Sequence, residues 1–303
     1  MKKRLKERKN EYIDSVPQYL ALIELLSELY PLDLISDNPV VEKFLFRGLA
    51  DSKFKLTPGI YRETVTQLEK RSISNKTYTS YSDGISILQR FIQEASPFIK
   101  DIGDTDYLKW AMLAQHYGVP TRLLDWTANP LVALYFACVD MDDVDAAIWI
   151  YHANNYNRFL HADWNKGENK KTIGELASLL IQEDKNDILP KKPMILNPYY
   201  LDQRMAMQSS RFMVWGTEEA SLDDVVTAEY YMEIPPEDQG WREYGDKQEK
   251  QFVFCVKIMA DNKQHIVRQL ESIGVSGKTI FPGLEGIGRF IERHYRFSYR
   301  EAF

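Results

Sequence analysis

The chain has 303 residues, 44% of them hydrophobic and 13% aromatic, and a formal net charge of −6. This apolar content excludes a disordered chain, and the acidic balance argues against a surface built to neutralise many phosphates of duplex nucleic acid. The basic opening MKKRLKERKN runs into a segment that contains charges, so we expect neither a signal peptide nor a membrane span. Cys138 and Cys255 lie in apolar runs, which is typical of buried thiols in a reducing compartment. We therefore expect a cytoplasmic protein.

An amphipathic helix is the first predicted element. Ser15 and Pro17 provide an N-cap and a first-turn proline, and the helix should end near Pro31. We interpret residues 1–40 as an N-terminal helical extension and residues 41–303 as one domain. The apolar residues that recur at helical spacing are Tyr19, Leu22, Leu26 and Leu29.

Strands and helices follow in an order that predicts an α+β fold with a mixed central sheet flanked by helices. Phe44 to Arg47 alternate as in a short strand, which Gly48 should stop. Near-continuous apolar runs such as AAIWIY are typical of strands covered on both faces. The remaining predictions are a helix from Ile85, a helix over 108–113 ended by Gly118 and Pro120, an extended run over 121–126, a helix starting at Asn129 and Pro130, and strands over 146–151, 211–216 and 251–258.

Arg47 is the first candidate site residue, because it lies at the predicted end of a strand beside a glycine. A guanidinium in this position offers a planar set of donors to a carboxylate or phosphate, and Gly48 would let a ligand approach the backbone. The alternative is a structural ion pair between Arg47 and a nearby acid.

The segment from Leu113 to Cys138 carries the densest polar chemistry. His116 and Tyr117 fall in the last turn of a predicted helix, where a cationic imidazole is also favoured by the helix dipole alone. Asp125 follows two leucines, so we expect it to be buried and paired with Arg47 or Arg122. Either this pair fixes the loop before the next helix, or it belongs to a polar cleft that binds an anion, and the two alternatives are compatible.

Arg204 and Gln208 lie one helical turn apart just before a predicted strand, which a helix cap and a solvated amide would also explain. The sequence contains no glycine-rich phosphate loop, no His-Glu-x-x-His motif, no nucleophile elbow and no cysteine pair at zinc-ligand spacing. We predict no metal.

Four stretches and one residue spacing resemble the FRG domain, which is named for a Phe-Arg-Gly motif present here as Phe46, Arg47 and Gly48. The resemblance runs from about Phe44 to Ile291, with Ser210 at a position where the family often has glycine. That family is bacterial and phage-associated, so the resemblance implies a defence or toxin-type effector. The stretches are FLFRGLADSKFKLTPGIYRE, LAQHYGVPTRLLDWTANPLVALYFA, AAIWIY and TIFPGLEGIGRFI, and the spacing is that of Arg204, Gln208 and Phe212.

A weaker resemblance is to ADP-ribosyltransferases. It implies that Arg47 holds a phosphate or ribose of NAD, that Thr127 buttresses the loop, and that Gln208 or Glu249 orients the ribose hydroxyls. The sequence departs from that family in having Asp-Trp-Thr at 125–127 in place of Ser-Thr-Ser, and in having an amide that cannot ionise at 208.

The leading hypothesis is a cleft that binds a nucleotide-like or phosphorylated ligand, with NAD as the implied cofactor and ADP-ribosyl transfer or NAD cleavage as the implied chemistry. One alternative is a non-catalytic module in which the polar cluster is structural and shapes a surface for a protein or RNA partner. Another is a metal-free nuclease that uses His116. The candidate catalytic residues are Arg47, Asp125, Thr127 and Gln208, and the candidate ligand-binding residues are Gly48, His116, Tyr117, Arg122, Trp126 and Arg204.

Overall fold

A computed structural model describes residues 12–29, 44–68, 71–76, 81–103, 105–153, 173–182, 189–196, 199–218, 221–222 and 253–300. The strands are β1 (Phe44–Leu49), β2 (Glu63–Leu68), β3 (Arg71–Lys76), β4 (Leu123–Thr127), β5 (Ala146–His152), β6 (Met194–Leu196), β7 (Ser210–Val214) and β8 (Val253–Ile258). The helices are α1 (Val16–Leu29), α2 (Tyr81–Ala95), α3 (Tyr107–His116), α4 (Pro130–Cys138), α5 (Ile173–Gln182), α6 (Gln203–Met207), α7 (Ala260–Ser272), α8 (Gly277–Ile280) and α9 (Leu284–Arg300), and a 3-10 turn covers Gly59–Tyr61.

The central sheet has the strand order β6-β7-β4-β1-β5-β8, and β2 and β3 form a separate hairpin. The predicted α+β class, with a central sheet flanked by helices, is confirmed. The described strand pairs are all antiparallel, whereas a mixed sheet was expected. That expectation came from the continuous apolar runs, and here antiparallel strands show such runs because both faces of the sheet are covered. β5 illustrates this, since all of its residues except Trp149 are buried.

The two neighbours of β1 pair with it to different extents. β1 pairs with β5 along its whole length, from Phe44 opposite His152 to Leu49 opposite Ala147. Among the described residues, its only register with β4 is Phe46 opposite Thr127. The backbone of β4 before Thr127 is therefore not paired with β1, which leaves polar main-chain atoms at the centre of the sheet for a side chain to satisfy.

Helix α4 packs directly on β1 and begins as the sequence predicts. Asn129 is its N-cap, accepting a hydrogen bond from the backbone N–H of Leu131 over 3.0 Å, and Pro130 is its first residue. A side chain at Gly48 would overlap the carbonyl oxygen of Ala133 on this helix. Gly48 is therefore required by helix packing, and it lies inside β1 instead of ending it.

The N-terminal helix α1 shares a core with α4, α7 and the strands. Its buried residues Tyr19 and Leu26 pack in the same apolar cluster as Phe46 and Ile148. The backbone N–H of Ile13 also donates to the carbonyl of Lys257 on β8 over 2.8 Å. The predicted boundary between residues 40 and 41 lies outside the described residues.

A second apolar cluster joins α3 and α5 to the other half of the same sheet face. Trp110 and Met112 of α3 are fully buried in it, together with Leu123 and Phe212 of the sheet. Helix α3 ends at His116, and Gly118 follows with φ +79°, so the predicted helix end is confirmed.

Across the described part of the chain, no helix combines the length and the apolar content that crossing a bilayer requires.

Candidate functional site

A cleft of about 300 Å³ opens where β1 and β4 meet helices α3, α4 and α6. This volume is at the small end of the range, about 300 to 1,000 Å³, that is typical of small-molecule sites. Eight of the ten predicted site residues line it, and the other two, Tyr117 and Arg122, do not. The lining residues are Phe46, Arg47, Gly48, Gln115, His116, Asp125, Trp126, Thr127, Val132, Ala133, Phe136, Arg204, Met205, Gln208, Ser210 and Phe212.

Arg47 lines this cleft, and its side chain is partly buried. Because Phe46 lies opposite Thr127, strand alternation directs the Arg47 side chain to the other face of the sheet from the side chains of Thr127 and Asp125. The Nη1 of Arg47 donates to the backbone carbonyl of Asp125, a group that β1 does not pair. Its Nε is buried and has no hydrogen-bond partner. Burial lowers the pKa of Arg47 to about 10, the Asp125 carboxylate opposes this shift, and the Arg62 cation adds to it.

The expected ion pair between Arg47 and a carboxylate is absent among the described residues, where the guanidinium donates to a backbone carbonyl instead. A buried cation without a bonded counter-ion is costly for the folded state. The same arrangement leaves guanidinium N–H groups available to an anionic ligand, which would remove that cost.

Asp125 is exposed, so the prediction that it is buried in a salt bridge is wrong. The carboxylate accepts a hydrogen bond from Nε2 of Gln115 over 2.7 Å, and the Oε1 of Gln115 accepts one from the Thr121 hydroxyl over 2.8 Å. The Asp125 carboxylate is therefore held in one orientation at the cleft, and it keeps lone pairs that a ligand could use.

The structure does not bring Arg122 to the cleft. Arg122 is 5% exposed, and its Nη1 donates to the carbonyl of Leu180 over 2.7 Å. Its Nε donates to the Tyr61 hydroxyl over 2.9 Å, and its Nη2 donates to the carbonyl of Gly216. Strand alternation explains the separation, because residues 122 and 125 lie on opposite faces of the sheet. Arg122 ties α5 and two loops together.

Thr127 contacts Gln208, but it does so through the backbone of the glutamine and not through its side chain. The Thr127 hydroxyl donates to the carbonyl of Gln208 over 2.6 Å and accepts from the N–H of Asn129 over 3.0 Å. Thr127 therefore fixes both the start of α4 and the turn between α6 and β7. That turn contains Ser209 with φ +46°, a left-handed conformation one position before Ser210.

His116 lies at the cleft with an acidic partner that the sequence did not suggest. Its Nε2 is 3.1 Å from Oδ2 of Asp202. The other carboxylate oxygen of Asp202 accepts from the backbone N–H of Met205 over 2.8 Å and caps α6. Tyr117 is 67% exposed and packs edge-on against the His116 ring outside the cleft lining.

Arg204 is the second arginine of the cleft. Its guanidinium carbon lies 4.7 Å from the centre of the Phe281 ring, and its buried Nε has no hydrogen-bond partner. The indole Nε1 of Trp126 is also buried without a partner. Three buried donors without partners therefore belong to residues that line one cleft, which is uncommon in a folded protein.

Two polar residues of the site escaped the sequence analysis as site residues. Gln115 holds Asp125, and its position beside His116 in the last turn of α3 was the available signal. Asp202 holds His116, and its only signal was an N-cap pattern before a short helix.

Glu249, the alternative to Gln208, lies outside the described residues. No group of three or more His, Cys, Asp or Glu side chains within the described ranges is arranged to hold a metal ion.

Residues 42–146, about a third of the chain, match the family model of the FRG domain. The matched segment carries Arg47, His116, Asp125 and Thr127, while Arg204 and Gln208 lie beyond the matched residues. No curated protein and no solved structure matches the chain. The resemblance to ADP-ribosyltransferases gains no support from these comparisons.

Proposed function

We propose that the cleft binds a small phosphorylated, nucleotide-like ligand, with NAD as the first candidate, and breaks the bond between its nicotinamide and ribose. The observation that carries this proposal is that Arg47 is a partly buried residue of the cleft lining whose guanidinium is bonded to no carboxylate among the described residues. Arg204 adds a second guanidinium with an unpartnered Nε at the same cleft. Two such groups suit a phosphate or pyrophosphate.

Asp125 supplies the ionisable group that this chemistry needs and that Gln208 lacks. Loss of nicotinamide leaves positive charge on the ribose, which a fixed carboxylate stabilises best when it is already oriented. The hydrogen bond from Gln115 provides this orientation. Water or an acceptor on a target molecule would then take the ADP-ribose. The cellular role that we propose for this activity is that of a bacterial or phage-associated defence or toxin-type effector in the cytoplasm.

A second candidate function is a non-catalytic module that presents the cluster to a protein or RNA partner. The observation in its favour is that several polar groups of the cleft are used internally. The Thr127 hydroxyl, for example, is engaged by both Gln208 and Asn129. In that case the guanidinium groups would anchor a carboxylate or phosphate of the partner.

The experiment is to measure nicotinamide release from NAD by the purified full chain, and toxicity on expression in bacteria, for the wild type and for Arg47→Ala. We expect release and toxicity in the wild type and the loss of both in the variant. The matched control is Arg90→Ala, because Arg90 is an exposed arginine that, within the described ranges, pairs with Glu94 on the same helix and with no other acid. Wild-type behaviour of Arg47→Ala in both assays would contradict the proposal.

A further inference from the structure

We propose that His116 is the general base of this cleft and that Asp202 is the residue that positions it. This inference rests on the proposed function, because it assigns the step that activates water in the same reaction. It concerns a pair of residues, one from the end of α3 and one from the N-cap of α6.

The geometry of the pair is that of an oriented imidazole. Nε2 of His116 faces Oδ2 of Asp202 at 3.1 Å, and the two side chains are only 15% and 29% exposed. Nδ1 has no hydrogen-bond partner among the described residues, and His116 lines the cleft. A base held by a third group, with its other nitrogen available, is the arrangement that nucleophile activation requires.

The carboxylate of Asp202 fixes the tautomer of His116. It is itself held, because its Oδ1 accepts from the N–H of Met205 while Oδ2 faces the imidazole. A carboxylate only accepts hydrogen bonds, so the neutral imidazole must carry its proton on Nε2. Nδ1 is then left with a lone pair that can accept a proton.

In the reaction that we propose, a water molecule gives a proton to Nδ1 of His116, and its oxygen forms a bond to the ribose C1′ of NAD. The bond between C1′ and the nicotinamide nitrogen breaks, and nicotinamide leaves as a neutral molecule with the bonding electrons. His116 then returns the proton to solvent. The products are ADP-ribose, nicotinamide and one proton.

The substitution Asp202→Asn separates the role of Asp202 in orienting His116 from its role as the N-cap of α6. Asparagine is as good an N-cap as aspartate, so its Oδ1 still accepts from the N–H of Met205. Its side-chain NH₂ then faces Nε2 of His116, which reverses the tautomer and puts the imidazole proton on Nδ1. The matched control is Asp106→Asn, because Asp106 caps α3 in the same way without a histidine partner.

Two readouts are needed. The first is the ¹⁵N chemical shifts of the His116 ring in the full chain, for which we expect the Nε2–H tautomer in the wild type and Nδ1–H in Asp202→Asn. The second is nicotinamide release from NAD at saturation, which we expect to fall by about 10² to 10⁴-fold in Asp202→Asn and in His116→Ala, with NAD affinity unchanged in Asp202→Asn. Asp106→Asn should match the wild type in both.

The outcomes distinguish this inference from the proposed function. NAD binding that depends on Arg47, combined with undiminished release by Asp202→Asn, would overturn the role of the pair and leave the proposed function standing. A wild-type Nδ1–H tautomer would also overturn it. Failure of the wild type to bind or cleave NAD would overturn both proposals.

Discussion

The Gln115 side-chain amide donates a hydrogen bond to the Asp125 carboxylate over 2.7 Å, and this contact holds an exposed acid in a fixed position at the cleft. A carboxylate that keeps its contact with water loses little solvation on folding. Its position therefore matters for a ligand more than for the stability of the fold.

We expect Asp125→Ala to unfold at a denaturant concentration close to that of the wild type, with a loss of stability below about 1 kcal/mol, because the exposed carboxylate forms no salt bridge within the described residues that the substitution would break. Nicotinamide release should fall sharply in the same variant. Urea titration and the NAD assay together check this. A loss of about 3 to 5 kcal/mol would instead indicate a buried ion pair and contradict the geometry described above.

Arg47→Gln should keep or raise the stability of the fold. Burial lowers the pKa of Arg47, so the charged form is disfavoured in the folded state. That penalty is fully present at neutral pH and diminishes as the pH rises above about 10, the folded value. Glutamine carries no charge and can still donate to the carbonyl of Asp125.

The measurement is urea unfolding of wild type and Arg47→Gln at pH 7. We expect a change between zero and a gain of about 1 to 3 kcal/mol, while NAD binding weakens at least tenfold. A loss above about 2 kcal/mol would show that Arg47 serves mainly to hold the sheet together.

Arg122→Ala tests whether Arg122 has a structural role and not the ligand-binding role that the sequence suggested. Removing this buried side chain leaves the carbonyls of Leu180 and Gly216 without their donors, so we expect a loss of about 3 kcal/mol or more. At a temperature where the variant is folded, its NAD affinity should equal that of the wild type. Arg90→Ala is the control, with a change near zero. A stable Arg122→Ala variant that no longer binds NAD would show instead that Arg122 contributes to ligand binding.

Gly48→Ala should destabilise the protein by about 3 kcal/mol, because the new methyl group overlaps the carbonyl of Ala133 and forces α4 away from β1. Gly288→Ala is a suitable control, since nothing lies within 4 Å of the added carbon and alanine favours the α9 helix. Thermal unfolding of the two variants measures both effects. Equal melting temperatures would show that α4 can move without cost.

Local signals were sufficient where an element is specified by its own residues. The Asn129 cap, the Pro130 start and the left-handed Gly118 each depend on neighbours within a turn, and each is found as predicted. The antiparallel pairing of the sheet depends on the connections between strands, which apolar runs do not encode.

The same distinction between local and long-range signals explains which features of the site could be predicted. Arg47, His116 and Gln208 were candidates because the sequence predicts them at strand and helix ends, and all three line the cleft although Arg47 lies inside β1. The exposure of Asp125 depends on which elements cover its part of the sheet, and a run of two preceding leucines does not contain that information. The pairing of His116 with Asp202 joins residues far apart in the chain, and the sequence gives no sign of it.

The most direct test of the account is a crystal structure of the full chain soaked with millimolar NAD. We expect electron density for the nucleotide in the cleft, with a phosphate oxygen within about 3 Å of a guanidinium nitrogen of Arg47. An empty cleft at that concentration, or a nucleotide bound elsewhere on the molecule, would contradict it.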